Sequence, residues 1–231
     1  MKKLGWIAFV LLTVLIFSSP ALAQDKQADT LGIYFGLVGG YVIPNDMRGN
    51  YEINGHDAGH IDFGFKNDGY LYGAKVGWLT PFTKKIMAME FEYNHITNNL
   101  DRAKDAGSEV AIDGKTQLDL FMFNVLARYP HGRFHPYIGA GVGYAYVRID
   151  DMLVTSSGGI IPGASKGVFA SQLMTGVDID ITKNFVIGLG YKYIAPGDVS
   201  VNTYLNSDGD AVDAKMRYSS HNFTLSFCFL F

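Results

Sequence analysis

Six charged residues interrupt runs that are otherwise apolar or small: Lys75, Glu90, Glu92, Arg128, Asp178 and Lys192. Three cations and three anions held away from water should pair, because an unpaired buried charge is costly. Two chemistries are open to such a set. One is a fixed network of ion pairs and hydrogen bonds. The other is a gate whose pairs re-form to let water or ions through. Which applies depends on the space that the surrounding elements leave.

Those elements are strands. Successive side chains of a β-strand point to opposite faces, and eight stretches alternate over about the ten residues that a tilted membrane strand needs. They are Gly32–Ile43, Tyr70–Leu79, Met87–Asn94, Leu120–Tyr129, Ile138–Tyr146, Phe169–Ile179, Ile187–Tyr193 and the terminal His221–Phe231. In each, one face carries bulky residues, such as Tyr70, Tyr72, Val76 and Trp78 of the second. The other carries small or polar ones, and all six charges share this second parity. The bulky face belongs against lipid and the small, charged face inside a closed barrel, since a membrane leaves no backbone group unpaired. A soluble lipocalin-like barrel would need the opposite arrangement. The fold expected is all-β: an eight-stranded antiparallel up-and-down transmembrane barrel. Its interior has room for side chains and little else, so the fixed network, a plugged lumen, is the preferred reading. Leu71, Leu120, Met122, Leu126 and Met174 also point inward, as ordinary packing or as the lining of a pocket for small hydrophobic molecules.

The connections alternate in length. Pro81–Lys85, Pro130–Arg133 and Asp180–Asn184 read as tight turns; Pro44–Asp68, Ile96–Lys115, Ile149–Lys166 and Ala195–Lys215 read as long polar loops. Short periplasmic turns, long extracellular loops and both termini in the periplasm follow. Outward aromatics fall into two belts, Tyr41, Tyr70, Tyr93, Tyr144 and Tyr193 near the loops and Trp78, Tyr129, Phe185 and Phe231 near the turns. Such rings prefer interfaces, being apolar at one end and wet at the other.

The start of the chain sets its compartment. Lys2 and Lys3 precede an apolar run from Leu4 to Phe17, and Ala21-Leu22-Ala23 supplies an A-x-A cleavage site. This is the pattern of a cleaved signal peptide, residues 1–23, with an apolar core too short to span a membrane. Gln24 follows the cut where a lipoprotein would carry cysteine. The barrel domain would be residues 24–231. The whole chain has 19 basic and 22 acidic residues, and the leader removes two lysines, so the mature chain is acidic and nucleic acid is not expected as a partner. Cys228 alone makes an intramolecular disulfide impossible. The 27 glycines and 30 Phe and Tyr residues suit membrane strands with a small inner face.

The terminal segment places Phe223, Leu225, Phe227, Phe229 and Phe231 on alternate positions. An exposed edge of this kind invites aggregation in a soluble protein. It resembles the closing strand of bacterial outer-membrane barrels, which the barrel-assembly machinery reads in that family. Together with Asn124–Tyr129 and His135–Tyr144, it makes the mature chain similar to the OmpA/OmpX-type outer-membrane β-barrel superfamily. That resemblance implies an outer-membrane protein of the Gram-negative envelope with a structural or surface-interaction role. Its implied partners are outer-membrane lipid and lipopolysaccharide, the assembly machinery, and host or surface ligands at the loops. A monomer is expected. A narrow porin-like or OmpW-like channel is the alternative. The Pro-Pro-Thr-Leu-like segment of OmpW-type barrels is missing. No periplasmic domain follows Phe231, so the cell-wall tethering of two-domain members is not expected.

Other candidate sites read as structural. His56, Asp57, His60 and Asp62 could hold a transition metal, but such residues are common in solvated loops, and no metal or cofactor is expected. In Asn206–Asp210 with Asp213, counting back from Gly209 puts Tyr204 at the first ligand position, so the EF-hand spacing fails and a turn is expected. Loose divalent-ion bridging to lipopolysaccharide stays open there. Gly139-Ala-Gly-Val-Gly143 resembles a nucleotide fingerprint, but its glycines recur every second residue with no helix pattern after them, and a small lumen stripe explains them. Small barrels that hydrolyse lipid A expose a His-Ser-acid set. His221 has no serine two residues on, and no strand acid clearly partners Ser219 or Ser220. No enzyme activity is expected.

Overall fold

The computed structural model describes residues 32–53, 56–66, 69–105, 108–154, 160–161, 163–205 and 211–231. The signal-peptide reading of residues 1–23 lies outside them. Fourteen strands follow in chain order. They are β1 (Ile33–Pro44), β2 (Met47–Ile53), β3 (His56–Phe65), β4 (Gly69–Leu79), β5 (Met87–Asp105), β6 (Ser108–Arg128), β7 (Phe134–Ile149), β8 (Met152–Val154), β9 (Ile160–Ile161), β10 (Ala164–Asp180), β11 (Phe185–Pro196), β12 (Val199–Leu205), β13 (Ala211–Arg217) and β14 (Ser220–Leu230).

Eight of them close a ring of antiparallel neighbours, β1-β4-β5-β6-β7-β10-β11-β14 and back to β1. Closure occurs on the terminal strand, where Phe229 pairs with Phe35 and the Phe231 amide donates to the Ile33 carbonyl at 2.9 Å. The register gives the barrel's shape. Stepping from partner to partner, Ile43 leads to His221, Tyr193, Leu173, Ala140, Val125, Met89 and Trp78, and returns to β1 at Ile33. The path comes back ten residues from where it began. A stagger of that size over eight strands requires a tilt of about 40–45°.

The two faces divide as alternation predicts. Phe35, Leu37, Tyr72, Phe91, Phe121, Leu173 and Leu189 are exposed on the outer wall, while Val38, Leu71, Leu120, Met122 and Met174 are buried within. Glycine keeps the interior narrow. A Cβ on Gly141 would overlap the Asn124 side chain, and one on Gly190 would come 2.8 Å from the Tyr137 hydroxyl oxygen.

The ends differ. Pro81–Thr83 forms a single 3-10 turn, and its Lys84 adopts a left-handed φ of 55°. At the opposite end the long polar loops expected from the sequence are largely strand. β5 and β6 continue past the ring and remain paired as far as Asp105 and Ser108. β3, β2, β13 and β12 extend a sheet from the top of β5, and β8 and β9 extend one from β6. Some of these segments pair with partners distant in sequence, as where β13 meets β2. Met47, Phe63, Phe65, Leu100, Met152 and Tyr218 of this cap share one hydrophobic core with Val42, Leu71, Ile96, Leu118, Leu120, Val147 and Ile194 of the barrel interior.

Candidate functional site

The interior is layered. Beneath the cap lies the apolar core, with Ile96, Leu118, Leu120 and Ile194 completely buried. Beneath that lies a layer of polar residues. Glu92 on β5 forms a direct ion pair with Lys192 on β11, and these strands stand diametrically opposite in the ring of eight. The other oxygen of Glu92 accepts from Asn124 Nδ2 at 3.0 Å and from Gln172 Nε2 at 3.3 Å, and Gln172 also donates to Asn124 Oδ1 at 2.6 Å. Glu92, Asn124, Gln172 and Lys192 are all buried. Four strands thus meet at one carboxylate in mid-lumen.

A second cluster adjoins it. Lys75 Nζ lies 2.9 Å from Glu90 Oε1, and the Tyr34 hydroxyl donates to the same oxygen at 2.6 Å. The Lys75 ammonium also sits 5.8 Å from the centre of the Tyr34 ring.

Arg128 and Asp178 do not join this network. Among the described residues neither forms an ion pair, although Asn124 and Gln172 of the same two strands, β6 and β10, meet directly. Both line a cavity of about 290 Å³ at the turn end, with Lys75, Tyr137, His135 and Cys228 around them. The buried Nε of Arg128 has no hydrogen-bond partner among the described residues. At the cavity's mouth, His135 is fixed between the Tyr129 carbonyl at 2.8 Å and Asp180 Oδ2 at 3.0 Å. The five inward apolar residues separate too. Leu71, Leu120 and Met122 belong to the main core, whereas Leu126 and Met174 pack beside this cavity.

Sequence reasoning missed a polar cluster on the outer wall. Asp119 on β6 accepts from the Tyr93 hydroxyl at 2.8 Å, from His95 Nδ1 at 2.8 Å and from Arg148 at 2.6 Å. The signal was present, because His95, Asp119 and Arg148 are polar residues at the outward parity of their strands. Thr97 Oγ1 lies 3.2 Å from His95 Nε2, completing a hydroxyl–imidazole–carboxylate order. Thr97 is only 2% exposed, however, and Asp119 is also held by Arg148 and Tyr93. A buried hydroxyl is not presented to a substrate, so the order does not make a nucleophile.

His221 meets the Tyr191 hydroxyl at 2.7 Å and Asn45 at 3.5 Å. His56, His60 and Asp62 lie on β3, a strand, and Asp62 pairs with Arg48 at 2.9 Å. Among the described residues no group of three His, Cys, Asp or Glu could hold a metal ion. The side chain of Asp57 and the segment Asn206–Asp210 lie outside the described residues. On the cap, a two-point hydrogen bond from Arg217 holds the Asp198 carboxyl below its ordinary range.

A closed ring of eight tilted strands, with an apolar outer wall and a charged, glycine-lined interior, defines an integral β-barrel of the outer membrane. The chain belongs to the outer membrane protein beta-barrel domain family, whose model matches residues 9–231. It is therefore an outer-membrane protein. It is 33% identical over 132 residues to outer membrane protein PagN of Salmonella typhimurium, covering 54% of this chain and 55% of that protein. The chain thus spans about half the length of that curated relative, and 31% of the length of four Brucella proteins it also matches. Among solved structures, OprG of Pseudomonas aeruginosa superposes with a TM-score of 0.61 at 14% identity, covering 90% of this chain and 99% of that one. The Escherichia coli protease OmpT does so with a TM-score of 0.55 at 9% identity, covering 93% and 99%. These two likenesses concern the fold.

Proposed function

We propose that this protein is a closed barrel with a structural and surface-interaction role in the cell envelope, working through its cap and outer wall rather than by conducting solutes. The observation that carries this reading is the Glu92–Lys192 ion pair, which crosses the full width of the lumen beneath a continuous apolar core. Opening a path would require separating buried charges and displacing packed side chains such as Leu120 and Ile96. The cap rises as paired strands, a rigid platform on which to present side chains to a partner.

The runner-up is a narrow channel for small solutes, favoured by the cavity of about 290 Å³ at the turn end, whose lining reaches Lys75. Uptake of small sugars and amino acids into liposomes carrying the refolded protein separates the two. Swelling no faster than that of protein-free liposomes supports the closed barrel. Size-dependent swelling sinks it. The outward row Phe223, Leu225, Phe227, Phe229 and Phe231, 40–55% exposed, supports recognition of the terminal strand by the assembly machinery.

A further inference from the structure

We propose that the turn-end cavity binds a small zwitterion, with its carboxylate on Arg128 and its ammonium on Asp178. The site needs access from the turn end alone, so it is independent of whether the lumen conducts.

The cavity of about 290 Å³ holds two opposite charges that the fold leaves unanswered. Arg128 and Asp178 are half-buried, and among the described residues neither side chain has an ion pair or a hydrogen bond. The other charged side chains of the lining are engaged or peripheral. Lys75 pairs with Glu90, His135 with Asp180, and Arg133 donates to the Asp180 carbonyl at 3.3 Å. Lys85 and Lys183 belong to the turns at the mouth.

The register shows why Arg128 and Asp178 do not meet. Asn124 of β6 and Gln172 of β10 share one partner on β7, Gly141, and with no side chain between them they touch. Arg128 is level with Tyr137, whereas Asp178 is level with His135, two residues nearer the turn. That offset sets their Cα atoms about 10–12 Å apart, and the β7 residues between them carry rings. Tyr137 extends over Gly176 and Gly190, where added Cβ atoms would come 2.6 Å and 2.8 Å from its hydroxyl. The two charges therefore face a shared space rather than each other.

A half-buried charge without a partner is costly. A simple anion would answer Arg128 and be repelled by Asp178; a simple cation would do the reverse. A short molecule carrying a carboxylate and an ammonium answers both, and a guanidinium takes a carboxylate through two parallel hydrogen bonds. Leu126, Val186 and Leu230 supply apolar wall for the hydrocarbon frame between the charges. The space is smaller than a drug-sized pocket, so that frame is a few carbons long.

The test is two-dimensional NMR of the isotope-labelled, refolded barrel in detergent micelles, titrated with glycine, β-alanine and γ-aminobutyrate. Acetate and ethylamine, each with one of the two charges, are the controls. At least one zwitterion should shift amides around the cavity, such as those of Gly132, Asp178 and Cys228, along a saturable curve. Each control should bind about tenfold more weakly, as loss of one charge-assisted contact implies. Arg128→Gln and Asp178→Asn should each weaken the zwitterion by a similar factor. Heat-modifiable gel mobility identifies the folded variants; should either fail to fold, Arg128→Gln/Asp178→Asn, which removes both charges together, should show no saturable shift, and the wild-type controls decide in any case. No saturable shift with any zwitterion, as a merely water-filled cavity requires, would overturn the proposal. So would equal binding of either control, or wild-type binding by the folded variants.

Discussion

Glu92 and Lys192 stand on opposite walls of the barrel, four strands apart in either direction round the ring, and meet in its centre. Both members of the pair are buried, and the contact joins strands that share no backbone pairing.

That geometry predicts an asymmetric mutational response. Removing one member strands the other as a buried charge, a change that costs about 3–5 kcal/mol in comparable sites. Glu92→Ala or Lys192→Ala should each lower the urea midpoint of the folded gel band. Glu92→Ala with Lys192→Ala should be milder than the two single effects added together, and the double-mutant cycle reads the coupling. Strict additivity would mean that the pair contributes nothing.

Cys228 reports on the lumen from one side. It is 6% exposed and lines the cavity at the turn end, the end expected to face the periplasm. A charged, membrane-impermeant thiol reagent added outside intact cells should leave it unmodified. The same reagent given access to the periplasm should label it, slowly. Labelling from outside at a similar rate would place an open path through the core.

Gly141 faces Asn124 closely enough that an added methyl would overlap its side-chain oxygen, which accepts from Gln172. Gly141→Ala should therefore disturb the polar layer and lower the folded fraction, while Gly39→Ala, on the outer wall with open space around it, should not. Heat-modifiable mobility after matched refolding compares them.

The cap should loosen only in acid. Arg217 depresses the Asp198 carboxyl through its hydrogen bonds, and Arg48 does the same for Asp62. A carboxyl with a folded-state pKa below its unfolded value stabilises above the unfolded value, near 3.9, and loses that contribution as pH falls through the depressed one. Both pairs are solvent-exposed, so the effect is small. Hydrogen exchange in β2, β3 and β13 should be unchanged between pH 7 and 5, after correction for intrinsic rates, and rise only below the ordinary carboxylate range. Loosening near pH 6 would contradict this origin.

Much of this was legible in the chain because a membrane barrel enforces alternation with lipid on one side. Parity alone put Lys75, Glu90, Glu92, Asp178 and Lys192 inside, and Phe223 to Phe231 outside. Which charges meet was not legible, since that depends on the ten-residue stagger that brings β5 opposite β11. Arg128 and Asp178 share the inward parity, yet both line the turn-end cavity without pairing. The cap was hidden for a different reason. Above the lipid the outer face of a strand meets water, so Asn98–Asp105 shows no greasy alternation while remaining strand. The outer-wall cluster of His95, Asp119 and Arg148 was not legible as a cluster, because only the registers of β5, β6 and β7 bring the three together.

Single-channel recording of the refolded mature protein in a planar bilayer tests the closed lumen most directly, with Glu92→Ala/Lys192→Ala alongside. The account predicts silence from the wild type across physiological voltages. It also predicts silence from the double variant, because the apolar core beneath the cap remains. Discrete, reproducible wild-type openings, altered when the Glu92–Lys192 pair is removed, would contradict it and make the pair a gate.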